Sequence, residues 1–289
     1  MKVIRAKVLG FCMGVKKAVE AAENSLKNPK FKGKKIFSLG PLIHNPSVLS
    51  ELENQGLKIL LENEADCADS SSVVLVRAHG CSPCVLEKMK KNGAVVIDST
   101  CPKVHLSQKR ALEWHSKGFK VLIAGDKKHG EVSGILSYVD NDGEVVESAE
   151  EAKKMQFSGK IVLLAQTTFS PLEFKKICAV VKDCAAKENP IELKVFDSIC
   201  SATMERQNAL SELAGLTDGI LVIGGKNSAN TRRLYETASE ICPRAALIEN
   251  ANEIPDDFFN MNCVGLSAGA STPDKIIDEV EMALNAEKN

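Results

Sequence analysis

An apolar run that ends in Asp-Ser and then reaches a cysteine occurs twice in this chain, and it constrains the fold more than any other feature. AVVIDSTC covers residues 94 to 101 and ELKVFDSIC covers residues 192 to 200. A third cysteine, Cys12, ends AKVLGFC near the N-terminus in the same manner. Short runs rich in β-branched residues predict strands. We therefore predict that three strands deliver Cys12, Cys101 and Cys200 to one place.

Short apolar runs alternate with amphipathic stretches along the whole chain, which is the pattern of parallel sheets covered by helices. The twelve predicted strands form three sets of four, at 36–39, 58–61, 73–76 and 94–97; 121–124, 144–146, 161–164 and 192–196; and 220–223, 245–248, 263–266 and 3–8. The sets predict an α/β fold of three domains, residues 13–101, 102–199 and 200–289, the last completed by the N-terminal strand within residues 1–12. Each domain is expected to hold a mostly parallel four-stranded sheet.

Prolines mark the predicted helix starts, because the first helical position needs no amide proton. These residues are Pro46, Pro83, Pro102, Pro171, Pro255 and Pro273. One further helix is predicted over residues 171 to 187.

Polar side chains follow the strands of each set at similar distances along the chain. They are His44, His79, His129, Glu131, Thr167, Thr168, Ser228, Asn230 and Ser271. Ligands bind beyond the carboxyl ends of parallel strands, so these loops are expected to surround one cavity. Imidazoles, hydroxyls and amides suit a phosphate or diphosphate. Glu131 is the acidic residue among them and the natural proton donor.

Composition narrows the class of partner. The 289 residues carry 37 basic and 38 acidic side chains, for a net charge of −1, which does not indicate a nucleic-acid or membrane-binding surface. A small-molecule substrate fits better, and the absence of a P-loop motif disfavours a nucleoside triphosphate. No apolar run reaches the ~18 residues of a membrane span, and the N-terminal run is too short for a signal peptide. We expect a cytoplasmic protein.

Ten cysteines are too scattered for a disulfide scaffold. The wide spacing of Cys12, Cys101 and Cys200 does not resemble a zinc ribbon, whose ligands come in close pairs. It suits an iron–sulfur cluster held from three domains, with one iron left open for substrate. Spacing alone leaves two alternatives open: cysteines that merely line the core, and zinc or thiol redox chemistry.

Nine ordered motifs carry a resemblance to a known family. They are GFC-x-GV at 10 to 15, HN at 44 to 45, AHG at 78 to 80, D-x-TCP at 98 to 102, H-x-EV at 129 to 132, QTT at 166 to 168, D-x-IC-x-AT at 197 to 203, NS-x-N at 227 to 230 and AGAS at 268 to 271. Together they closely resemble the 4-hydroxy-3-methylbut-2-enyl diphosphate reductases, from residue 10 to about residue 274.

The resemblance implies a trefoil of three α/β domains around one central 4Fe–4S cluster per chain. Cys12, Cys101 and Cys200 would hold that cluster and leave one iron without a protein ligand. The reaction would be the reductive dehydroxylation that ends the non-mevalonate isoprenoid pathway and gives isopentenyl and dimethylallyl diphosphate. Electrons would come from a donor such as ferredoxin or flavodoxin.

Site roles follow from the same resemblance. Glu131 would help deliver protons and Thr167 would orient the substrate hydroxyl. The substrate would be bound by His44, His79, His129, Thr167, Thr168, Ser228, Asn230 and Ser271.

Two residues depart from the family's usual pattern. Ala229 stands where a second serine is common, so we expect weaker substrate affinity. Gly130 stands where the family usually has proline, so we expect a more mobile loop around Glu131.

Two other functions compete with this prediction. Cys81-Ser-Pro-Cys84 has the C-x-x-C spacing of a redox pair, which would make the protein a thiol oxidoreductase. However, no other thioredoxin feature accompanies it, and Pro83 is predicted to begin a helix there. A cluster-binding sensor without catalysis would lack a proton donor, whereas Glu131 is present.

Overall fold

The structure, a computed structural model, describes residues 1–43, 45–187 and 191–286. The chain divides into two compact units. The one-sheet unit comprises Met1–Val19, Ile43–Gln55 and Ser201–Asn289, and the two-sheet unit comprises Glu20–Leu42 and Gly56–Cys200.

The described residues form twelve strands. In chain order they are β1 (Lys2–Arg5), β2 (Lys35–Leu39), β3 (Leu57–Leu60), β4 (Ser72–Val76), β5 (Val95–Asp98), β6 (Lys120–Ala124), β7 (Gly143–Val146), β8 (Lys160–Ala165), β9 (Glu192–Phe196), β10 (Gly219–Ile223), β11 (Ala245–Ile248) and β12 (Cys263–Ala268).

Ten α-helices connect these strands within the described part of the chain. They are α1 (Met13–Lys27), α2 (Pro46–Asn54), α3 (Pro83–Lys91), α4 (Pro102–Ser116), α5 (Gly130–Leu136), α6 (Ala149–Ala152), α7 (Pro171–Lys187), α8 (Ser201–Ala214), α9 (Ala229–Ile241) and α10 (Asp274–Ala286). Short 3₁₀ turns lie at Pro29–Phe31, Glu62–Cys67, Ser137–Val139, Ala251–Glu253 and Asp256–Asn260.

Three four-stranded sheets share one topology. The first sheet has the order β3-β2-β4-β5, the second β7-β6-β8-β9 and the third β11-β10-β12-β1. Every pairing is parallel. In the third sheet the N-terminal strand β1 takes the edge position that β5 and β9 occupy in the others. The sequence prediction that the N-terminal strand completes the third set is confirmed.

The central strands explain why the sheets are parallel and covered on both faces. All five residues of β4 and of β10 are buried, and continuous apolar strands of this kind are typical of sheets with helices on both sides. The edge strands β5 and β9 are only partly buried. The apolar core therefore lies against the two inner strands of each sheet, and their carboxyl ends are left free to carry polar loops.

Most predicted helix starts are confirmed, and two are wrong by one residue. Pro46, Pro83, Pro102 and Pro171 each begin an α-helix, and the helix predicted over 171 to 187 has those bounds. Pro255 instead caps a 3₁₀ turn that begins at Asp256, and α10 begins at Asp274, one residue after Pro273. The three domain boundaries stay a prediction.

In the described residues, no helix is long and apolar enough to cross a membrane.

Candidate active site

Each of the three predicted cluster cysteines follows the edge strand of its sheet and is tied to the loop after the neighbouring strand. The cysteine N–H donates to a backbone carbonyl in each case: Cys101 to Ala78 at 3.0 Å, Cys200 to Thr167 at 2.8 Å, and Cys12 to Ala270 at 3.0 Å. Each of the three acceptor residues is followed in the chain by a predicted substrate-binding residue. These residues are His79, Thr168 and Ser271. The repetition that the sequence shows is therefore a repetition of backbone geometry.

The Asp-Ser step before two of the cysteines has a structural role. The Oδ1 atom of Asp98 accepts a hydrogen bond from the Thr100 N–H at 2.9 Å, and Asp197 Oδ1 accepts from the Ile199 N–H at 3.2 Å. When an aspartate carboxylate accepts a hydrogen bond from the backbone N–H two residues later, the chain forms an Asx turn. The aspartate thus bends the chain so that the cysteine follows the strand end at once.

All three cysteines are in the thiol form, outside any disulfide, and are partly exposed. Cys101 is the N-cap residue of α4, Cys200 precedes α8, and Cys12 precedes α1, where its Sγ atom accepts from the Val15 N–H at 3.5 Å. Thiolate sulfur that accepts backbone N–H bonds is the usual donor for iron–sulfur clusters, so the chemistry of this donor set fits the cluster. Across the described ranges, no three His, Cys, Asp or Glu side chains form a group that could hold a metal ion. The convergence of the three thiols stays a prediction.

The Cys81–Cys84 pair of the C-x-x-C motif is poorly suited to thiol–disulfide exchange. Cys81 is buried, and burial raises the pKa of its thiol to about 12, whereas Cys84 is exposed. Attack on a disulfide needs a thiolate, and this thiol keeps its proton at neutral pH. The structure favours a packing role for Cys81.

Glu131 and Thr167 are joined by two hydrogen bonds within the two-sheet unit. The Thr167 N–H donates to Oε1 of Glu131 and the Thr167 hydroxyl donates to Oε2, both at 2.7 Å. Glu131 is 1% exposed. Burial raises its pKa from 4.5 to about 7, although the backbone and side-chain hydrogen bonds from Thr167 act in the opposite direction. A carboxyl group that titrates near neutrality can hold a proton and release it.

Helix α5 positions this carboxyl group. His129 is the N-cap of α5, and its Nδ1 atom accepts from the Glu131 N–H at 3.2 Å. Because Nδ1 is an acceptor here, the proton of the neutral ring lies on Nε2, which can donate to an anion. The ring of His79 packs edge to face against that of His129, with centroids 5.1 Å apart. The structure thus brings two predicted diphosphate-binding histidines together beside the predicted proton donor.

Gln166 joins the loop after β6 to the loop after β8. Its Oε1 atom accepts from the Asp126 N–H and its Nε2 atom donates to the Thr168 hydroxyl, both at 2.9 Å. The side chain is 2% exposed. Gln166 therefore fixes the loops that carry His129 and Thr168. The sequence places it in the QTT motif, although its role as a brace depends on a contact across 40 residues.

In the one-sheet unit, the equivalent elements carry neutral donors. Ser228 is the N-cap of α9, and its hydroxyl accepts from the Thr231 N–H at 3.3 Å. Asn230 is the second residue of α9 and is 7% exposed. Its Nδ2 atom is buried and has no hydrogen-bond partner among the described residues. An unsatisfied buried amide costs ~1–3 kcal/mol, so a ligand acceptor would relieve it. Ser271, also buried, lies in the loop after β12.

A buried guanidinium supports the segment that leads to Cys12. Arg206, on α8, is 3% exposed and donates through Nη2 to the Gly10 carbonyl at 2.7 Å and through Nη1 to the Ala202 carbonyl at 2.9 Å. Arginine is rarely this buried unless it is paired. The sequence contains no local signal for this contact, since the partners are 196 residues apart.

His44 lies outside the described residues. The residue after it, Asn45, is the N-cap of α2, and its Oδ1 atom accepts from the Val48 N–H at 3.2 Å. In the fold, α2 thus begins on an N-cap as α5 and α9 do on His129 and Ser228.

The fold has three parallel sheets with matching strand-end cysteines, and one sheet carries a buried carboxyl–threonine pair at its end. These features define an α/β enzyme of the reductase class to which the sequence motifs point. The model of the LytB protein family matches residues 3–285, and the chain belongs to that family.

Two relatives are similar to this chain over nearly their full length. The 4-hydroxy-3-methylbut-2-enyl diphosphate reductase of Treponema denticola is 44% identical, with 98% of this chain and 99% of the relative covered. The enzyme of the same name from Geotalea daltonii is 43% identical, with 97% and 95% covered.

Solved structures agree with the fold. The structure of (E)-4-hydroxy-3-methyl-but-2-enyl diphosphate reductase, described as the terminal enzyme of the non-mevalonate pathway, superposes with a TM-score of 0.73 at 38% identity, covering 99% of this chain and 100% of the other. The corresponding reductase of Plasmodium falciparum gives a TM-score of 0.85 at 27% identity, with 100% and 88% covered.

Proposed function

We propose that this chain catalyses the reductive dehydroxylation of (E)-4-hydroxy-3-methylbut-2-enyl diphosphate, the reaction of its relatives. The reaction takes up two electrons and two protons, breaks the allylic C–O bond and releases water. The products are isopentenyl and dimethylallyl diphosphate. One observation carries the proposal: a buried glutamic acid is held by a single threonine at the carboxyl end of the second sheet, where substrates of parallel sheets bind.

Glu131 and Thr167 serve the departing hydroxyl. With a pKa of about 7, Glu131 holds a proton in a large share of molecules at neutral pH. Protonated Glu131 can donate to the Thr167 hydroxyl oxygen, 2.7 Å away, while the Thr167 O–H donates to the substrate oxygen. A proton passed along this pair lets the substrate oxygen leave as water rather than hydroxide. Burial of both residues keeps bulk water from competing for that proton.

The diphosphate is held by donors from several loops. In the predicted set, His129 and His79 offer imidazole N–H groups, and Ser228, Asn230 and Ser271 offer hydroxyl and amide donors. His44 and Thr168 complete the predicted set. The unpartnered Nδ2 atom of Asn230 supports this assignment most directly, because a phosphate oxygen would satisfy it. Anchoring the diphosphate fixes the position of the distant allylic carbon.

Cys12, Cys101 and Cys200 would hold a 4Fe–4S cluster. When bound, such a cluster supplies the two electrons and, at the iron without a protein ligand, a Lewis acid for the substrate oxygen. The backbone bonds from each cysteine N–H to its neighbouring loop hold these residues in equivalent positions. The electron donor is a small redox protein such as ferredoxin or flavodoxin, and we place the reaction in the cytoplasm.

The decisive experiment uses protein purified and reconstituted without oxygen. Iron and sulfide should be present in a ratio near one to one, and reduced methyl viologen should be oxidised only when the diphosphate substrate is added. Cys101→Ser should lose iron and sulfide, and Cys67→Ser, at an exposed cysteine of the same unit, is the matched control that should keep both. Zinc in place of iron, or viologen oxidation that does not depend on the substrate, would contradict the proposal.

A further inference from the structure

Arg77 follows β4 directly and precedes His79 by two residues. Its side chain is only 17% exposed although it is always charged. The guanidinium lies close to two glycines, Gly40 directly after β2 and Gly130 at the start of α5. A Cβ atom at position 40 would lie 2.7 Å from Nη1 of Arg77, and one at position 130 would lie 2.9 Å from Nη2. Neither position has room for a side chain while the guanidinium is in place.

The polar contacts of Arg77 are too few to explain its burial. Its ion pair with Glu62 is long, at 3.3 Å between Nη2 and Oε1. Within the part of the chain that the structure describes, its buried Nε atom has no hydrogen-bond partner. A half-buried ion pair of this length adds little stability, while a buried unpaired donor costs ~1–3 kcal/mol. The buried guanidinium therefore contributes to the structure mainly by packing against the two glycines.

Gly130 is the residue through which this packing reaches the site. It is the first residue of α5 and lies between His129 and Glu131. Proline fits well at the first position of a helix and fixes the backbone there, as Pro46 and Pro102 do in α2 and α4. With glycine at position 130 the backbone loses that restraint, and the guanidinium of Arg77 occupies the space that a larger residue would take.

We propose that Arg77 is a positioning residue that acts through Gly130, holding the first turn of α5 so that His129 and Glu131 keep their places against His79 and Thr167. The proposal rests on the proposed function for its catalytic consequence. It also revises the expectation that Gly130 makes the loop more mobile, since the glycine and the arginine act as a pair. Arg77 lies close to Gly130, the residue before the proton donor, and acts on the position of that residue rather than on the reacting atoms.

Two variants separate this role from direct substrate binding. Arg77→Met keeps an apolar stem of similar length and removes the guanidinium, while Gly130→Ala adds one methyl group against Nη2. We expect Arg77→Met to lower kcat at least about tenfold with a smaller change in KM, because misplacement of a catalytic group acts on turnover. Arg110→Met is the matched control, since Arg110 lies over the Phe196 ring of the same unit, 4.8 Å from its centroid.

The pH profile gives a readout that loss of stability alone would not move. If α5 loosens, water reaches Glu131, and its pKa falls from about 7 towards 4.5. The alkaline limb of kcat against pH should therefore move to lower pH in Arg77→Met and stay in place in Arg110→Met. Amide hydrogen exchange at residues 129–133 should be faster in Arg77→Met even without a cluster.

A double-mutant cycle tests the pairing itself. Gly130→Ala should slow turnover in the wild-type background and have little further effect beside Arg77→Met, because the methyl group then has room. Independent effects of the two substitutions would overturn the proposal. So would a large rise in KM for Arg77→Met with kcat and the pH profile unchanged, which would make Arg77 a diphosphate ligand. If wild-type protein shows no reductase activity but the exchange rates behave as expected, the positioning role stands and the proposed function fails.

Discussion

Helices α5 and α9 occupy the same place in two sheets of one topology, yet they carry different chemistry. Each begins after a side chain that caps it, His129 in α5 and Ser228 in α9. Each buries the residue two positions after its cap, which is Glu131 in one and Asn230 in the other. The carboxyl oxygens of Glu131 both accept hydrogen bonds from Thr167, whereas the Nδ2 atom of Asn230 has no partner in residues 1–43, 45–187 and 191–286.

The comparison shows that the fold supplies the buried position and that the side chain supplies the chemistry. In the second and third sheets, the position two residues after the helix cap is buried and polar. A carboxylic acid at that position, shielded from water, becomes a proton donor near neutral pH. An amide at the equivalent position cannot ionise and instead offers an N–H to an anion. One of these positions should control turnover and the other substrate binding.

Replacing Glu131 should have the largest effect. Glu131→Gln keeps the shape and the hydrogen-bonding size of the side chain but removes the proton, so turnover should fall by about 100-fold or more. Viologen oxidation with saturating substrate measures it, with iron and sulfide content determined on the same sample. Glu113→Gln, at an exposed position on α4, is the control. Wild-type turnover in Glu131→Gln would remove this residue from its role.

The buried carboxyl group should also make stability depend on pH. In the unfolded chain Glu131 loses its proton near pH 4.5, while in the folded protein it keeps the proton up to about pH 7. Folding therefore takes up a proton between these values, and the free energy of unfolding should fall as pH rises through this window, by up to about 3 kcal/mol. Urea midpoints of cluster-free wild type and Glu131→Gln at pH 5 and pH 7.5 measure the difference. Parallel pH dependence in the two proteins would contradict the assigned burial.

Removing the amide of Asn230 should act on binding. A hydrogen bond to a charged group contributes ~1.5–3 kcal/mol, so Asn230→Ala should raise KM about tenfold to 100-fold while kcat changes little. Steady-state kinetics with the diphosphate substrate measure both constants. Asn252→Ala, at an exposed position of the same unit, provides the comparison. If Asn230→Ala lowered kcat by as much as it raised KM, the assignment of turnover to α5 and of binding to α9 would be wrong.

Adding a donor beside Asn230 should have the smallest effect. Ala229 is the first residue of α9, where the resemblance leads us to expect a second serine. Ala229→Ser supplies one more hydroxyl, worth ~0.5–1.5 kcal/mol if it bonds to the diphosphate, so KM should fall a few-fold at unchanged kcat. An unchanged KM would show that this departure is without consequence for affinity.

The fold was largely predictable from the sequence because its signals are local. Apolar runs such as 192–196 match their strands, and Pro46, Pro83 and Pro102 begin helices as predicted. The sequence predicts an N-terminal strand over residues 3–8, whereas β1 covers Lys2–Arg5. The last hydrogen bond between this segment and β12 is donated by the Ala6 N–H to the Leu266 carbonyl. The next residue, Lys7, is exposed and forms an ion pair with Glu212.

The supporting residues of the site could not be predicted in the same way. Arg206 reaches a carbonyl 196 residues away, and Gln166 bonds to an amide 40 residues away. Arg77 lies beside the AHG motif, yet its packing partners are glycines at positions 40 and 130, which carry no side-chain signal. Contacts of this kind depend on the assembled sheets, so residue type and spacing do not reveal them.

The central claim is that three equivalent strand ends deliver three thiolates to one cluster and leave one iron for the substrate. The most direct measurement is the Mössbauer spectrum of anaerobically reconstituted protein enriched in ⁵⁷Fe, recorded with and without the diphosphate substrate. We predict a four-iron cluster in which one iron differs from the other three and responds to substrate. Mononuclear iron, or a cluster whose spectrum does not change when substrate is added, would contradict the account.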